Sequence, residues 1–286
     1  MKTQSDPIQN AQVAESIEQW LNRLNIHELK KISNDELIQT WRNWLLNDSY
    51  NYIEGLDQFQ YATFAAGTSV CFGEFIHRFP TRRVRVSRDD FALTRVICKN
   101  FNRELLYLED APLADNDMLI ISLPFSGNGS VYPDFEKILD SADTLNVPVF
   151  VDGAYYGISH DIKYPLHHNC ITDFVVSLSK NLSPRSMRLG IRFTKEMIDD
   201  GVSQSIVGAD IFDRLGSWIS IKLMNQYAQK WIIDQYMDRY NDTCDTLDLI
   251  KTNTITLALS NHERFKEYHR GEYNRVCITD EITKNS

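Results

Sequence analysis

Two short apolar runs, at residues 147–151 (Val-Pro-Val-Phe-Val) and 173–177 (Asp-Phe-Val-Val-Ser), each lead directly into reactive polar residues. They are β-branched, too short for helices and not alternating, which is the pattern of strands buried on both faces of a parallel sheet. The first runs into Asp152-Gly-Ala-Tyr155 and the second into Ser177-Leu-Ser-Lys180, with Arg188-Leu-Gly190 shortly after. Ligands of open α/β sheets sit beyond the carboxyl ends of the strands. An acid, a phenol, a hydroxyl, an amine and a guanidinium are therefore expected around one crevice.

The rest of the chain supplies a frame for that crevice. Residues 1–48 read as an N-terminal helical segment: Ile17, Trp20, Leu21 and Leu24 recur at helical spacing, as do Leu37, Trp41, Trp44 and Leu45. Ser33 and Glu36 form a capping box for the second of these helices. Residues 49–208 alternate short strands with helices, predicting an α/β domain whose mostly parallel sheet has helices on both faces. One of those helices covers residues 133–145, with Phe135, Ile138, Leu139 and Ala142 on one side. Residues 209–286 return to long helical patterns, begun by Ile211, Leu215, Trp218, Ile219 and Leu223 and extended through residues 231–240. They are expected to form a smaller, mainly helical domain. Its aromatics (Trp218, Tyr227, Trp231, Tyr236, Tyr240) read as core or subunit-interface stripes.

Charge and composition narrow the classes. A formal net charge of −9 argues against a nucleic-acid face, and the local arginines Arg78, Arg82, Arg83, Arg85 and Arg88 read as a solvated edge or a subunit contact. The five cysteines are scattered without a CxxC pair, and the polar N-terminal residues do not read as a secretory signal. No apolar run is long enough to span a bilayer. A reducing cytoplasm is the expected compartment. The seven histidines show no metal spacing, with adjacent His167 and His168 read as loop residues, so no metal is expected. No GxGxxG follows the first strand, which argues against a nicotinamide site.

The residue set around the crevice suits a pyridine ring that carries an aldehyde and a phosphate. Lys180 is the candidate amine for a Schiff base with the aldehyde. Asp152 is the candidate carboxylate on the ring nitrogen, keeping it protonated, and Tyr155 the phenol beside the ring oxygen. Arg188 and the hydroxyl of Ser177 suit the phosphate. In order and spacing, these residues resemble the fold-type-I aminotransferases, the class I/II branch of pyridoxal-phosphate enzymes. That family carries Asp-x-Ala-Tyr at one strand end, then Ser-x-Ser/Ala-Lys, then Arg eight residues after the lysine and Gly two further on. Asp152, Tyr155, Ser177, Lys180, Arg188 and Gly190 match position by position. The resemblance implies a pyridoxal-phosphate-transferase-like large domain at 49–208, a reduced small domain at 209–286, and pyridoxal 5′-phosphate as cofactor.

The resemblance extends upstream and downstream. The Ala-Ala-Gly-Thr-Ser stretch ending in Gly67, Thr68 and Ser69 precedes an apolar helical stretch at residues 70–79. A helix N-terminus of this kind is a natural anion site, and the family places a small-residue turn there around the cofactor phosphate. Phe91, beyond the strand at residues 83–87, takes the place of the aromatic that the family stacks on the ring; it also suits the core side of a helix at 90–99. After the strand at residues 117–122 the family has Asn-Pro-Thr-Gly, whereas this chain has Pro124-Phe-Ser-Gly127 and then Asn128. Pro124 has no donor for the ring oxygen, so Ser126 and Asn128 are the candidate substitutes. The family also implies a homodimer in which a tyrosine reaches the neighbouring subunit's phosphate; Tyr52 fits that order, with Tyr50 as competitor. Late in the chain, Arg275 in a strand-like run at residues 272–278 fits the arginine that clamps the substrate carboxylate, an ordinary edge arginine being the alternative.

The activity implied is transfer of an amino group between an amino acid, or amino-acid-like amine, and a 2-oxo acid, with small-molecule partners only. The same residues also serve a lyase or decarboxylase. The short C-terminal portion and Pro124 leave a degenerate, non-catalytic member as a third reading.

Overall fold

In the computed structural model, which describes residues 5–184, 186–199 and 203–284, the strands expected after residue 49 form a seven-stranded sheet. Before it come the helices α1 (Ala11–Asn22), α2 (Ile26–Leu29) and α3 (Asn34–Leu46). The middle of the chain supplies β1 (Tyr52–Glu54), β2 (Tyr61–Ala65), α4 (Ser69–Arg78), β3 (Arg83–Val86), α5 (Leu93–Asn100) and β4 (Leu105–Tyr107). It continues with β5 (Asp117–Ser122), α6 (Phe135–Leu145), β6 (Val149–Gly153), β7 (Lys163–Pro165), β8 (Ile171–Ser177) and β9 (Gly190–Thr194). The last part holds α7 (Arg214–Gln226), α8 (Trp231–Leu247), β10 (Ile250–Lys251), β11 (Leu257–Ser260), β12 (His269–Arg270), β13 (Tyr273–Cys277) and α9 (Thr279–Thr283).

The large sheet has the order β2-β9-β8-β6-β5-β3-β4. All its pairings are parallel except those of β9, which runs antiparallel to both β8 and β2. Every residue of β5 is buried, and the strand's side chains divide strictly by parity. Leu119 and Ile121 join a large core with α3, α6 and α7, whereas Met118 and Ile120 join a second core with Cys71, Phe72, Phe75 and Ile76 of α4. A strand covered on both faces has no polar side to show, which is why its interior, Met118–Ile121, is a continuous apolar run.

Local signals act as expected at several element ends. The Ser33 side chain accepts the Glu36 N–H and caps α3. The Asp213 side chain does the same for Gly216 at the start of α7. Arg85, from the basic cluster expected at a solvated edge, is instead 1% exposed and paired with fully buried Asp117, which also takes Arg83. Opposite charges within the chain account for these two arginines.

The C-terminal portion departs from the continuous helical pattern. The helix breaks between α7 and α8, where Tyr227 adopts an extended conformation and its ring packs on Trp231 with centroids 4.7 Å apart. Beyond α8 lies a four-stranded antiparallel sheet of order β10-β11-β13-β12, of which only β13 was apparent from sequence. No described helix is long and apolar enough to cross a membrane.

Candidate active site

Register brings the reactive residues into one row. Ser122 is opposite Asp152, Gly153 opposite Val176, Ser177 opposite Gly190, and Gly190 opposite Ala65. These are the carboxyl ends of β5, β6, β8 and β2 and the start of antiparallel β9, so loops from five strands converge on one end of the sheet. There they enclose a cleft of about 500 Å³.

Of the residues singled out from sequence, Thr68, Ser69, Phe91, Ser126, Asp152, Tyr155, Ser177, Lys180, Arg188 and Arg275 line this cleft. Gly67 lies beside it. Its φ of +77° favours glycine, and a Cβ there would run into the Arg188 guanidinium, whose Nε lies 3.0 Å from that position. Arg188 Nη2 in turn donates to Ser69 Oγ at 2.9 Å, at the N-terminus of α4. Asn128 is outside the lining and accepts the Ser130 N–H at 2.8 Å. Tyr52 is also outside, 61% exposed on β1. Tyr50 donates to Asp234 of its own chain at 2.8 Å.

Asp152 is 4% exposed at the end of β6 and accepts the Ala154 N–H at 3.1 Å. Burial, and then the carboxylate of Asp90, push its pKa up to about 7; the Thr68 hydroxyl, the Ala154 N–H and the positive charge of Lys180 oppose the rise. Lys180 Nζ donates to the carbonyl of Ser5 and lies 5.6 Å from the centroid of the Tyr155 ring.

Several contributors carried no sequence signal. Asp90, between β3 and α5, is 2% exposed; it accepts the Ser122 N–H at 2.9 Å and the Ser122 hydroxyl, and burial raises its pKa. Arg270 of β12 reaches the cleft from the small antiparallel sheet, as does Arg275 of β13, which is 3% exposed and donates to the Ser126 carbonyl. Residues 5–8 cross the mouth: Ser5 and Pro7 line the cleft, and the Ile8 N–H donates to the Lys180 carbonyl at 3.1 Å. Asp90 and Arg270 lack a local motif, and Ser5 is 175 positions from its partner Lys180.

The donor set fits pyridoxal phosphate. A carboxylate buried beside a second acid gains most from a cation placed against it, and a protonated ring nitrogen is one. The turn at Gly67–Ser69, closed by Arg188, has space that even a methyl group would fill, next to a helix N-terminus suited to a phosphate. Ser179 Oγ is buried at the cleft with no hydrogen-bond partner among the described residues, as suits a site that takes a polar ligand.

Elsewhere, the ligand atoms of Asp143, His168 and Cys170 lie within 4.8 Å of one another, the one such group among the described residues. They already serve each other, with His168 Nδ1 2.8 Å from Asp143 Oδ2 and the Cys170 N–H bonded to Asp143 Oδ1.

Comparison with known proteins agrees with this geometry. The family model described as aminotransferase class I and II matches residues 90–250. The chain superposes on the aromatic aminotransferase from Pyrococcus horikoshii OT3 with a TM-score of 0.74 at 15% identity, covering 98% of this chain and 91% of that one. It superposes on the pyridoxal-phosphate-bound C-S lyase from Staphylococcus hominis with a TM-score of 0.69 at 12% identity, covering 96% and 85%. A third neighbour is the L-threonine-O-3-phosphate decarboxylase from Porphyromonas gingivalis, with a TM-score of 0.65 at 13% identity, covering 99% and 96%. No curated protein sequence matches. With more than half its length matched and its sheet arranged in the same way, this chain belongs to the aminotransferase class I and II family, a family of pyridoxal-phosphate enzymes.

Proposed function

We propose that this chain transfers an amino group between an amino acid, or amino-acid-like amine, and a 2-oxo acid, with pyridoxal phosphate held in the cleft. The observation that carries the reading is the convergence of Lys180, Asp152, Tyr155, Arg188 and Arg275 from four separate segments on one cleft. When bound, the cofactor supplies an aldehyde for amines to add to and a protonated ring that takes up charge from the substrate α-carbon.

The chain's own residues then divide the work. Lys180 Nζ would hold the cofactor at its aldehyde and would carry the proton of the substrate α-carbon. Asp152 would hold the proton on the ring nitrogen, while Asp90 behind it raises the energy of an unpaired Asp152 carboxylate. The Tyr155 hydroxyl is assigned to the ring oxygen, Phe91 to a ring face, and Arg188, Ser69, Thr68 and Ser177 to the phosphate. Arg275 receives the substrate α-carboxylate through its planar fork. Ser126, whose carbonyl Arg275 holds, is the nearer of the two candidates for the contact that Pro124 lacks, since Asn128 lies outside the lining.

In this reading residues 49–208 hold the cofactor and residues 209–286 bring Arg275 to it. The working unit is a homodimer in the cytoplasm, with exposed Tyr52 reaching the phosphate of the partner subunit. Elimination or decarboxylation on the same scaffold is the competing reading, favoured by the neighbours that are a C-S lyase and a decarboxylase.

Borohydride treatment of the protein loaded with pyridoxal phosphate should fix a mass label on Lys180, and Lys180→Ala should take none. An equal label on the variant overturns the assignment. Incubation with an amino-acid panel and no oxo acid separates the two chemistries. Consumption of one amino acid per site without ammonia or CO₂ supports transfer, whereas continuous release of either supports the competitor.

A further inference from the structure

We propose that Arg270 forms a second anion-binding point in the cleft and selects amino acids whose side chain ends in an anionic group. The proposal rests on the pyridoxal-phosphate reading above. Arg270 pairs with Tyr273 across the β12–β13 turn, so it approaches the cleft on the strand next to Arg275. Its Nε and Nη2 donate to the Asp89 carbonyl at 3.0 and 2.6 Å, and Nη2 also reaches the Asp90 carbonyl at 3.1 Å and Ser126 Oγ at 3.4 Å. Pinning the loop at Asp89–Asp90 accounts for those two nitrogens. It leaves Nη1, which donates to nothing among the described residues.

All of Arg270's acceptors are neutral, and among the described residues no carboxylate lies within ion-pair distance of it. Arg275 is close by, holding the carbonyl of the same Ser126 whose hydroxyl Arg270 contacts. Burial, followed by the charge of Arg275, lowers the Arg270 pKa to about 10 against the opposing influence of Tyr155, Asp90 and Asp89. Two like charges side by side, Arg275 buried and Arg270 partly so, repel each other, and an anion placed between them offsets that repulsion.

The charges of the lining point the same way. The cations are Arg95, Lys180, Arg188, Arg270 and Arg275, and the only acid in the lining is Asp152. The aldehyde takes Lys180, the phosphate takes Arg188, and the α-carboxylate takes Arg275. Arg270 remains beside buried Arg275, while Arg95, like Arg270 only partly buried, is occupied by the Arg88 carbonyl. An amino acid with a distal carboxylate or phosphate group answers that surplus; one with a neutral side chain does not.

The test is calorimetric binding of glutarate, 3-phosphonopropionate and butyrate to the protein loaded with pyridoxal phosphate. Wild type should bind at least one of the two doubly acidic probes about tenfold more tightly than butyrate. Which of them is preferred separates a carboxylate from a phosphate group. Arg270→Met should bring that ratio close to one, and Arg270→Lys, which keeps the charge and loses the fork, should fall between. Equal affinities in wild type, or a preference that survives Arg270→Met, overturns the proposal. Borohydride labelling of Lys180 is run on each protein. Its failure in wild type sinks the cofactor reading and this proposal with it, whereas labelling with equal affinities sinks this proposal alone. If Arg270→Met does not fold, the lysine variant decides: an undiminished ratio there counts against the role.

Discussion

Asp152 is harder to ionise because Asp90 stands behind it. Burial is the larger cause and Asp90 the second, and together they raise the Asp152 pKa from 3.8 to about 7. A carboxyl whose pKa is higher in the folded chain binds its proton more tightly there than in the unfolded chain. Its contribution is therefore favourable at low pH and is lost as pH rises between the two values. For cofactor-free protein the loss on going from about pH 4 to pH 7 is roughly 3 kcal/mol from this group. Melts of wild type and Asp152→Asn across that range should converge or cross, with only the wild type carrying this decline. Parallel curves would show that the pair is not coupled to folding. Loading with pyridoxal phosphate should flatten the wild-type decline, since a ring cation favours the carboxylate.

Gly67→Ala tests the phosphate turn. At a φ of +77° an alanine is strained by about 1 kcal/mol, and its methyl group must displace the Arg188 guanidinium. A modest fall in melting temperature should accompany a loss of pyridoxal-phosphate affinity of about tenfold or more. Unchanged affinity would remove Gly67 and Arg188 from the cofactor's surroundings.

The parts legible in the sequence were those fixed by local pattern. Asp117–Ser122 is a strand because its four-residue apolar run, Met118–Ile121, buried on both faces, has no other local solution, and Ser33 caps α3 through its own Glu36. The polar strand ends at Asp152 and Ser177 share a cleft because parallel register aligns them. Asp90 was not legible: it matters only because β3 lies beside β5 and delivers it under Ser122, a pairing that no run of residues announces. Arg270 sits on a two-residue strand, too short for any periodicity. The break before Trp231 has neither glycine nor proline. It is fixed by tertiary contacts instead, since the Tyr227 carbonyl takes the Trp44 indole N–H and the Tyr227 hydroxyl lies 2.7 Å from Ser16 Oγ.

The ion cluster under β3 predicts a large stability effect remote from the cleft. Asp117 is fully buried, accepts from Arg83 and Arg85, and also takes the Ala114 N–H at 2.9 Å. Asp117→Ala leaves the 1%-exposed Arg85 guanidinium with backbone carbonyls only. Removing one partner of a buried pair costs about 3–5 kcal/mol. Chemical denaturation should show a loss of that size. A loss below about 1 kcal/mol would mean that the arginine reaches water in the variant.

The segment across the cleft mouth gives the last prediction. Ser5 offers its carbonyl to Lys180 Nζ, so the amine that is to bond the cofactor is tied to the chain's own backbone. The strap is anchored on the far side as well, where the Asp6 N–H donates to Cys277 Sγ at 3.4 Å and Thr279 Oγ1 donates to the Asp6 carbonyl at 3.0 Å. Removing residues 1–5 deletes the acceptor while keeping Ile8, which is 1% exposed, and Asn10, whose side chain caps α1. A hydrogen bond from a charged amine contributes about 1.5–3 kcal/mol, so its loss should raise the rate of borohydride-trapped labelling at Lys180 by about tenfold. The readout is the time course of that label by mass spectrometry, at equal concentrations of pyridoxal phosphate. An equal rate in the two proteins would show that the Ser5 contact gives way freely when the aldehyde arrives, and that the strap does not restrain the amine.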